Sequence, residues 1–157
     1  VIGLSMQASK AKSLPFIHQV STDTVNLPEF DAIIALRGES SNPLAYDREK
    51  LEPLQLAAYP KLKPIISQLD KEQAFAKALN VASSLGWDVV AKNEQQGLIE
   101  AVDTSALWAF KDDIAIRVQA VGASSKIDLR SISRIGGSDL GANAARVEKF
   151  ITAFANK

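Results

Sequence analysis

The chain has 157 residues, of which 18 are basic and 18 acidic, with one histidine, no cysteine and 46% hydrophobic side chains. A chain of this length buries roughly 68–70% of the surface its unfolded form exposes, so a single domain can hold a core without a disulfide or structural metal. Zero formal charge excludes the broad basic footprint of non-specific nucleic-acid binding, and the lack of cysteine excludes disulfide frameworks, Cys-ligated zinc, iron–sulfur clusters and thiol catalysis.

In chain order, Val1-Ile2-Gly3-Leu4 opens an apolar run too short to cross a bilayer, which takes about 20 residues. Residues 1–13 read either as a linker or as the stub of a removed signal or membrane helix. The segment 14–63 holds five of the six prolines (Pro15, Pro28, Pro43, Pro53, Pro60) and reads as an irregular arm packed on the rest. Within it, Pro28 followed by Glu29, Phe30, Ile33, Ile34 and Leu36 predicts one short helix closed by Arg37-Gly38. The Ser21-Thr22-Asp23-Thr24 run, rich in short side-chain oxygens, predicts a turn in which His18 takes part.

Residues 64–157 form the core. Ile65 to Leu69 predicts a strand, and Asp70-Lys71-Glu72-Gln73 a capping box opening a helix with the apolar stripe Phe75, Ala78, Leu79, Ala82 and Leu85. Gly86 stands where a left-handed cap is expected. Strands follow over Trp87 to Ala91 and Leu98 to Thr104, then a hairpin with alternating Ile114, Ile116, Val118 and Ile127, Leu129. Gly136-Gly137-Ser138-Asp139 ends the last strand and supplies a cap for a final helix bearing Val147, Phe150, Ile151 and Phe154. The order β-α-β-β-β-β-α predicts an α+β two-layer sandwich with an antiparallel sheet. It resembles the TATA-binding-protein-like and helix-grip folds, and such a likeness implies no function.

A hairpin turn centred on Ala123-Ser124 would set Arg117 opposite Arg130 and Asp113 opposite Arg134, all on one face. Facing arginines need a counter-charge: Asp113, Glu100, Asp23 or Asp31 from within, or an outside anion such as a lipid headgroup. His18 is the one side chain with an unperturbed pKa near neutrality, so any histidine chemistry, with Asp23 as its partner carboxylate, must use it. A single histidine completes no zinc triad, and no hydrolase or dinucleotide motif is present, so neither metal nor cofactor is expected and catalysis has no motif behind it. Leu107, Trp108 and Phe110 are either core packing or the lip of an apolar cavity between helix and sheet.

The blocks Ile17-His18-Gln19-Val20-Ser21-Thr22-Asp23-Thr24, Ala58-Tyr59-Pro60, Gly97-Leu98-Ile99-Glu100-Ala101, Phe110 through Val118, Arg130-Ser131-Ile132-Ser133-Arg134 and Ser138 through Arg146 resemble the signature blocks of domain-of-unknown-function family fourteen-ninety-nine. The likeness runs from Phe16 to the end, with Gln19 where an aspartate is more usual. That family has no established activity and occurs in bacteria and plastids. Many bacterial members carry membrane-spanning helices ahead of this domain, which implies a membrane-anchored protein on the periplasmic side, with Val1 to Leu4 as the stub of such a helix. The expected function is therefore a membrane-tethered binding or scaffold domain whose sheet face carries Arg117, Arg130 and Arg134. Its partner would be a protein or an anionic lipid headgroup, not nucleic acid. The alternative is a carrier of a hydrophobic or lipid-like ligand, with Trp108 and Phe110 at the entrance.

Overall fold

The computed structural model describes residues 14–156; the expected linker over 1–13 lies outside them. Six strands form one antiparallel sheet: β1 (Gln19–Ser21), β2 (Ile65–Ser67), β3 (Asp88–Asn93), β4 (Leu98–Thr104), β5 (Lys111–Val121) and β6 (Ser124–Ser133). Three helices accompany it: α1 (Arg48–Ala58), α2 (Lys71–Ser84) and α3 (Ala142–Asn156). The spatial order is β1-β6-β5-β4-β3, and β2 lies end to end with β1 along the same edge of β6.

The local signals explain most of these elements. Asp70 accepts from Gln73 N–H at 2.8 Å and Gln73 Oε1 accepts from Asp70 N–H at 3.4 Å, which caps α2. Gly86, with φ +82, ends it. Gly97 closes the β3–β4 turn at φ +70, and a Cβ there would lie 2.0 Å from the Val118 carbonyl oxygen, so only glycine fits. Asp139 accepts from the Gly141 and Asn143 N–H groups at 2.8 and 3.3 Å where α3 begins.

One face of the sheet meets α2 and α3. Ile114, Ile116 and Val118 of β5, Ile127 and Leu129 of β6, and Ile99 and Ala101 of β4 are buried there against Phe75, Ala78, Val147, Phe150 and Phe154. Trp87 and Phe154 stack on either side of Phe150 at 5.6 and 6.1 Å. On the other face a second apolar cluster joins Val102, Ala115 and Ile132 of the sheet to Phe30 and Ile33. Chain from before α1 thus covers part of that face.

Two expectations need correction. The segment 14–63 is more ordered than its prolines suggest. It contributes β1 to the sheet and the eleven-residue α1, while the helix expected after Pro28 is a single 3-10 turn, Ala32–Leu36. Pro53 stands inside α1, and Gln55, buried on the same helix, exchanges two hydrogen bonds with the Ser21 backbone at 3.0 and 2.7 Å. The hairpin register is also shifted. Val121 pairs with Ser124, so the turn falls on Gly122-Ala123, where Gly122 has φ +60. The turn lies one residue earlier than expected, which moves every cross-strand partner by two and leaves each side chain on its expected face. Arg117 therefore faces Asp128, Arg130 faces Ala115, and Asp113 faces Ile132.

Candidate functional site

The arm-covered face of the sheet collects the charges that the sequence placed there, and it buries them. Asp113 is fully buried and its Oδ1 accepts from Arg134, with Nη2 at 2.8 Å and Nε at 3.0 Å, the latter shared with Oδ2. Arg37, which follows the 3-10 turn, reaches the other oxygen of the same carboxylate. Arg37 also donates to the Asn42 carbonyl and Arg134 to that of Leu36. One buried carboxylate thus holds two arginines, one from the sheet and one from the arm, in the charge-assisted geometry that makes such bonds strong.

Glu100 does not meet the arginines. Its buried carboxylate accepts from the N–H groups of Asp31, Ala32 and Ile33 at 2.6, 2.9 and 3.2 Å. The sheet therefore caps the 3-10 turn in place of Asp31, whose side chain makes no cap bond. Asp128, which the sequence reading passed over, is the fully buried partner of Arg117 at 3.4 Å and accepts from Thr22 Oγ1 at 2.7 Å. Asp23 meets Arg117 from the arm at 3.2 Å while its other oxygen accepts from Val25 and Asn26 N–H. Burial alone would push the Asp23 carboxyl up, but those N–H groups and the charges of Lys126 and Arg117 hold it below its ordinary value.

Arg130 stands apart. It is 6% exposed, and among the described residues no carboxylate lies within ion-pair distance of it. Its guanidinium donates only to neutral oxygens: Gln19 Oε1 at 2.9 and 3.2 Å and the carbonyls of Pro28 and Leu44. The Phe30 ring lies under it at 5.2 Å. Burial, with the repulsion of Arg37, brings its pKa down to about 10, so it still carries its charge at neutral pH.

Beside it opens a cleft of about 480 Å³, lined by Arg117 and Arg130, by Glu29, Tyr46, Asn26 and Gln96, and by the apolar Val25, Leu27, Leu44 and Leu98. Two of its lining residues each carry a buried polar atom without a hydrogen-bond partner, Tyr46 Oη and Arg117 Nε. Burial pushes the Tyr46 phenol up to about 12, so it remains a donor throughout the usual pH range. A guanidinium with no ion-pair contact, two donors without acceptors and short apolar walls together suit an anionic group on a small apolar body.

The other candidate residues lie elsewhere. His18 is half-buried just before β1 and does not line the cleft; its Nε2 has no partner, and its carbonyl accepts from Ser133 N–H and Asn143 Nδ2. Burial, aided by Arg37, Lys50 and Arg130 against Asp139, lowers its pKa below the ordinary value, which keeps the imidazole neutral at pH 7. The turn expected to involve it is built instead by Ser21 Oγ on the Asp23 carbonyl and by the Asp23 carboxylate. Trp108 and Phe110 are exposed in the connection between β4 and β5 and do not line the cleft. Among the described residues no group of three or more histidines or carboxylates is placed to hold a metal ion. No described helix is long and apolar enough to cross a membrane.

Fold and site together define an α+β domain with an antiparallel six-stranded sheet, two helices on one face and a charged cleft beneath the covering segment on the other. The chain belongs to the family described as Protein of unknown function (DUF1499), whose model matches residues 19–154. Comparison with the curated proteins finds no match. A solved structure described as "Crystal structure of Ara h 8.0201" is similar at 9% identity and a TM-score of 0.35 over 60% of this chain and 96% of that one, a likeness too slight to bear on function.

Proposed function

We propose that this domain is a non-catalytic binding module that receives a small amphiphilic anion, a carboxylate or phosphate with a short apolar body, in the Arg117–Arg130–Tyr46 cleft. The observation that carries the reading is Arg130, a buried guanidinium with no carboxylate within ion-pair distance among the described residues, beside the partnerless Tyr46 Oη. A buried charge is costly without compensation, and a bound anion would supply it. The setting that fits is the one implied by the family resemblance: a protein tethered to a membrane and facing the periplasm, serving as a binding or scaffold domain for a protein or a lipid headgroup. Two helices laid on one face of an antiparallel sheet support the helix-grip-like reading of the fold. A second reading, a carrier entered past Trp108 and Phe110, has less behind it, because side chains such as Phe75 and Phe150 fill the layer between helices and sheet.

Titration calorimetry with hexanoate, butyl phosphate, inorganic phosphate and the neutral hexanol tests the proposal. The two amphiphilic anions should bind more tightly than either phosphate or hexanol. Tyr46→Phe should weaken them about ten- to a hundredfold without lowering the melting temperature, since the lost Oη has no partner in the free protein and a hydrogen bond to a charged group contributes about 1.5–3 kcal/mol. Glu29→Gln, which removes the one carboxylate in the cleft wall, should tighten them. Equal affinity for hexanol and hexanoate, or no effect of Tyr46→Phe, refutes the reading.

A further inference from the structure

We propose that the ligand of the Arg117–Arg130–Tyr46 cleft is a free α-amino acid with an aliphatic side chain, its carboxylate taken by Arg130 and its ammonium by Glu29. This rests on the anion reading above and narrows it: the bound carboxylate must carry a positive charge beside it.

The charges around the cleft do not cancel locally. Arg117 is already answered, with Asp23 at 3.2 Å and Asp128 at 3.4 Å, and Lys126 reaches the same two carboxylates at 3.9 and 3.6 Å, so these cations and anions balance. What remains among the lining residues is one charge of each sign, Arg130 and Glu29. Glu29 is exposed, and among the described residues no cation comes within ion-pair distance of it. Its carboxylate is nevertheless near enough to favour the charged form of Arg130 against the effect of burial. The two charges border one cleft without bridging it.

A guanidinium and a carboxylate held apart are complementary to a ligand that carries both opposite charges close together. The carboxylate and ammonium of an α-amino acid share one carbon. A plain carboxylate or phosphate neutralises Arg130 but brings a second anion up to Glu29, and a plain amine brings a second cation up to Arg130. A zwitterion satisfies both. The rest of the wall selects the side chain. Val25, Leu27, Leu44 and Leu98 are apolar, and Asn26 and Gln96 are uncharged, so no unanswered charge in the lining is left for an acidic or basic side chain. The cleft volume of about 480 Å³ lies in the range of small-molecule sites.

Norleucine, hexanoate and pentylamine share one aliphatic chain and differ in the charges they carry, so calorimetry with the three separates the two contacts. Norleucine should bind at least roughly tenfold more tightly than hexanoate, the gain expected of one charge-assisted hydrogen bond, and more tightly than pentylamine. Acetylating its amine should remove that gain. The deciding variant is Glu29→Gln, which should weaken norleucine about tenfold while tightening hexanoate, at an unchanged melting temperature. Opposite signs from one substitution require Glu29 to meet the ammonium, because a change in the shape or stability of the cleft would move both ligands the same way. Hexanoate binding as tightly as norleucine, or Glu29→Gln moving both in one direction, would overturn the amino-acid assignment and leave the anion site standing. Failure of norleucine and hexanoate alike to bind would remove the anion site and this assignment with it.

Discussion

Replacing Asp113 with asparagine should destabilise the domain by about 3–5 kcal/mol, the usual cost of removing one partner from a buried ion pair. The substitution preserves shape and takes away only the charge. Arg37 and Arg134, whose side chains are 6% and 12% exposed, would then face each other across a neutral amide. For a domain of this size each kcal/mol lowers the melting temperature by roughly 2–4 °C, so the expected fall is about 10 °C and lies well outside error. The effect should concentrate in the arm. Residues 36–42 are stitched to the sheet by Arg37, by Arg134 on the Leu36 carbonyl, and by Asn42, which donates to the Ser133 and Gly136 carbonyls at 2.9 and 2.8 Å. Amide exchange in that stretch should quicken before exchange in β5. A loss below about 1 kcal/mol in urea unfolding would mean that the two arginines find other partners and that Asp113 is not the clasp.

Phe150→Ala should cost a similar 3–5 kcal/mol for a different reason. Phe150 is fully buried between Trp87 and Phe154, so truncation removes apolar burial and leaves a cavity whose walls are pinned by the sheet and by α2. The matching control is Trp108→Ala. That side chain is larger but 69% exposed, and its loss should change stability by no more than about 0.5 kcal/mol. Urea midpoints of the two variants check both statements together. A large loss at Trp108 would show that the β4–β5 connection packs on the domain.

The parts of this fold visible in the sequence are those fixed by neighbours in the chain. The Asp70–Gln73 box, the alternation through β5 and β6, the Asp139 cap and the stripe of α3 each follow from residues within one turn or one hairpin of each other. What escaped depends on distance or on a conflict of local signals. α1 was obscured because Pro53 lies inside it and because Gln55, a polar residue, occupies a buried position on it, which breaks the apolar period. β1 is three residues long and is a strand only because β6 offers it an edge. The hairpin turn was misplaced by one residue, and this set Arg117 opposite Arg130 when its true partner is Asp128. Asp128 itself sits between Ile127 and Leu129 as any surface residue of a strand would, and only Thr22 and Arg117, brought from elsewhere, reveal its burial.

The charge cluster was legible in kind and not in use. The arginines and their face were evident, and a counter-charge was required on physical grounds. Which carboxylate answers which arginine depends on the covering segment: Arg37 crosses to Asp113, Asp23 crosses to Arg117, and Glu100 turns to the 3-10 backbone. Once these are assigned, Arg130 is the arginine left with neutral partners. The overall balance of 18 basic and 18 acidic residues thus conceals one local imbalance at a cleft.

The arginine Nε–Hε resonances test this most directly, because they report the hydrogen bonding of each guanidinium separately. Titrating hexanoate into labelled protein should shift the Arg117 and Arg130 signals together, saturating at the concentration found by calorimetry, while those of Arg37 and Arg134, held by Asp113, stay fixed. Shifts that spread over all four arginines in proportion to anion concentration, or that leave Arg130 unmoved at saturation, would contradict the assignment of the cleft as an anion site.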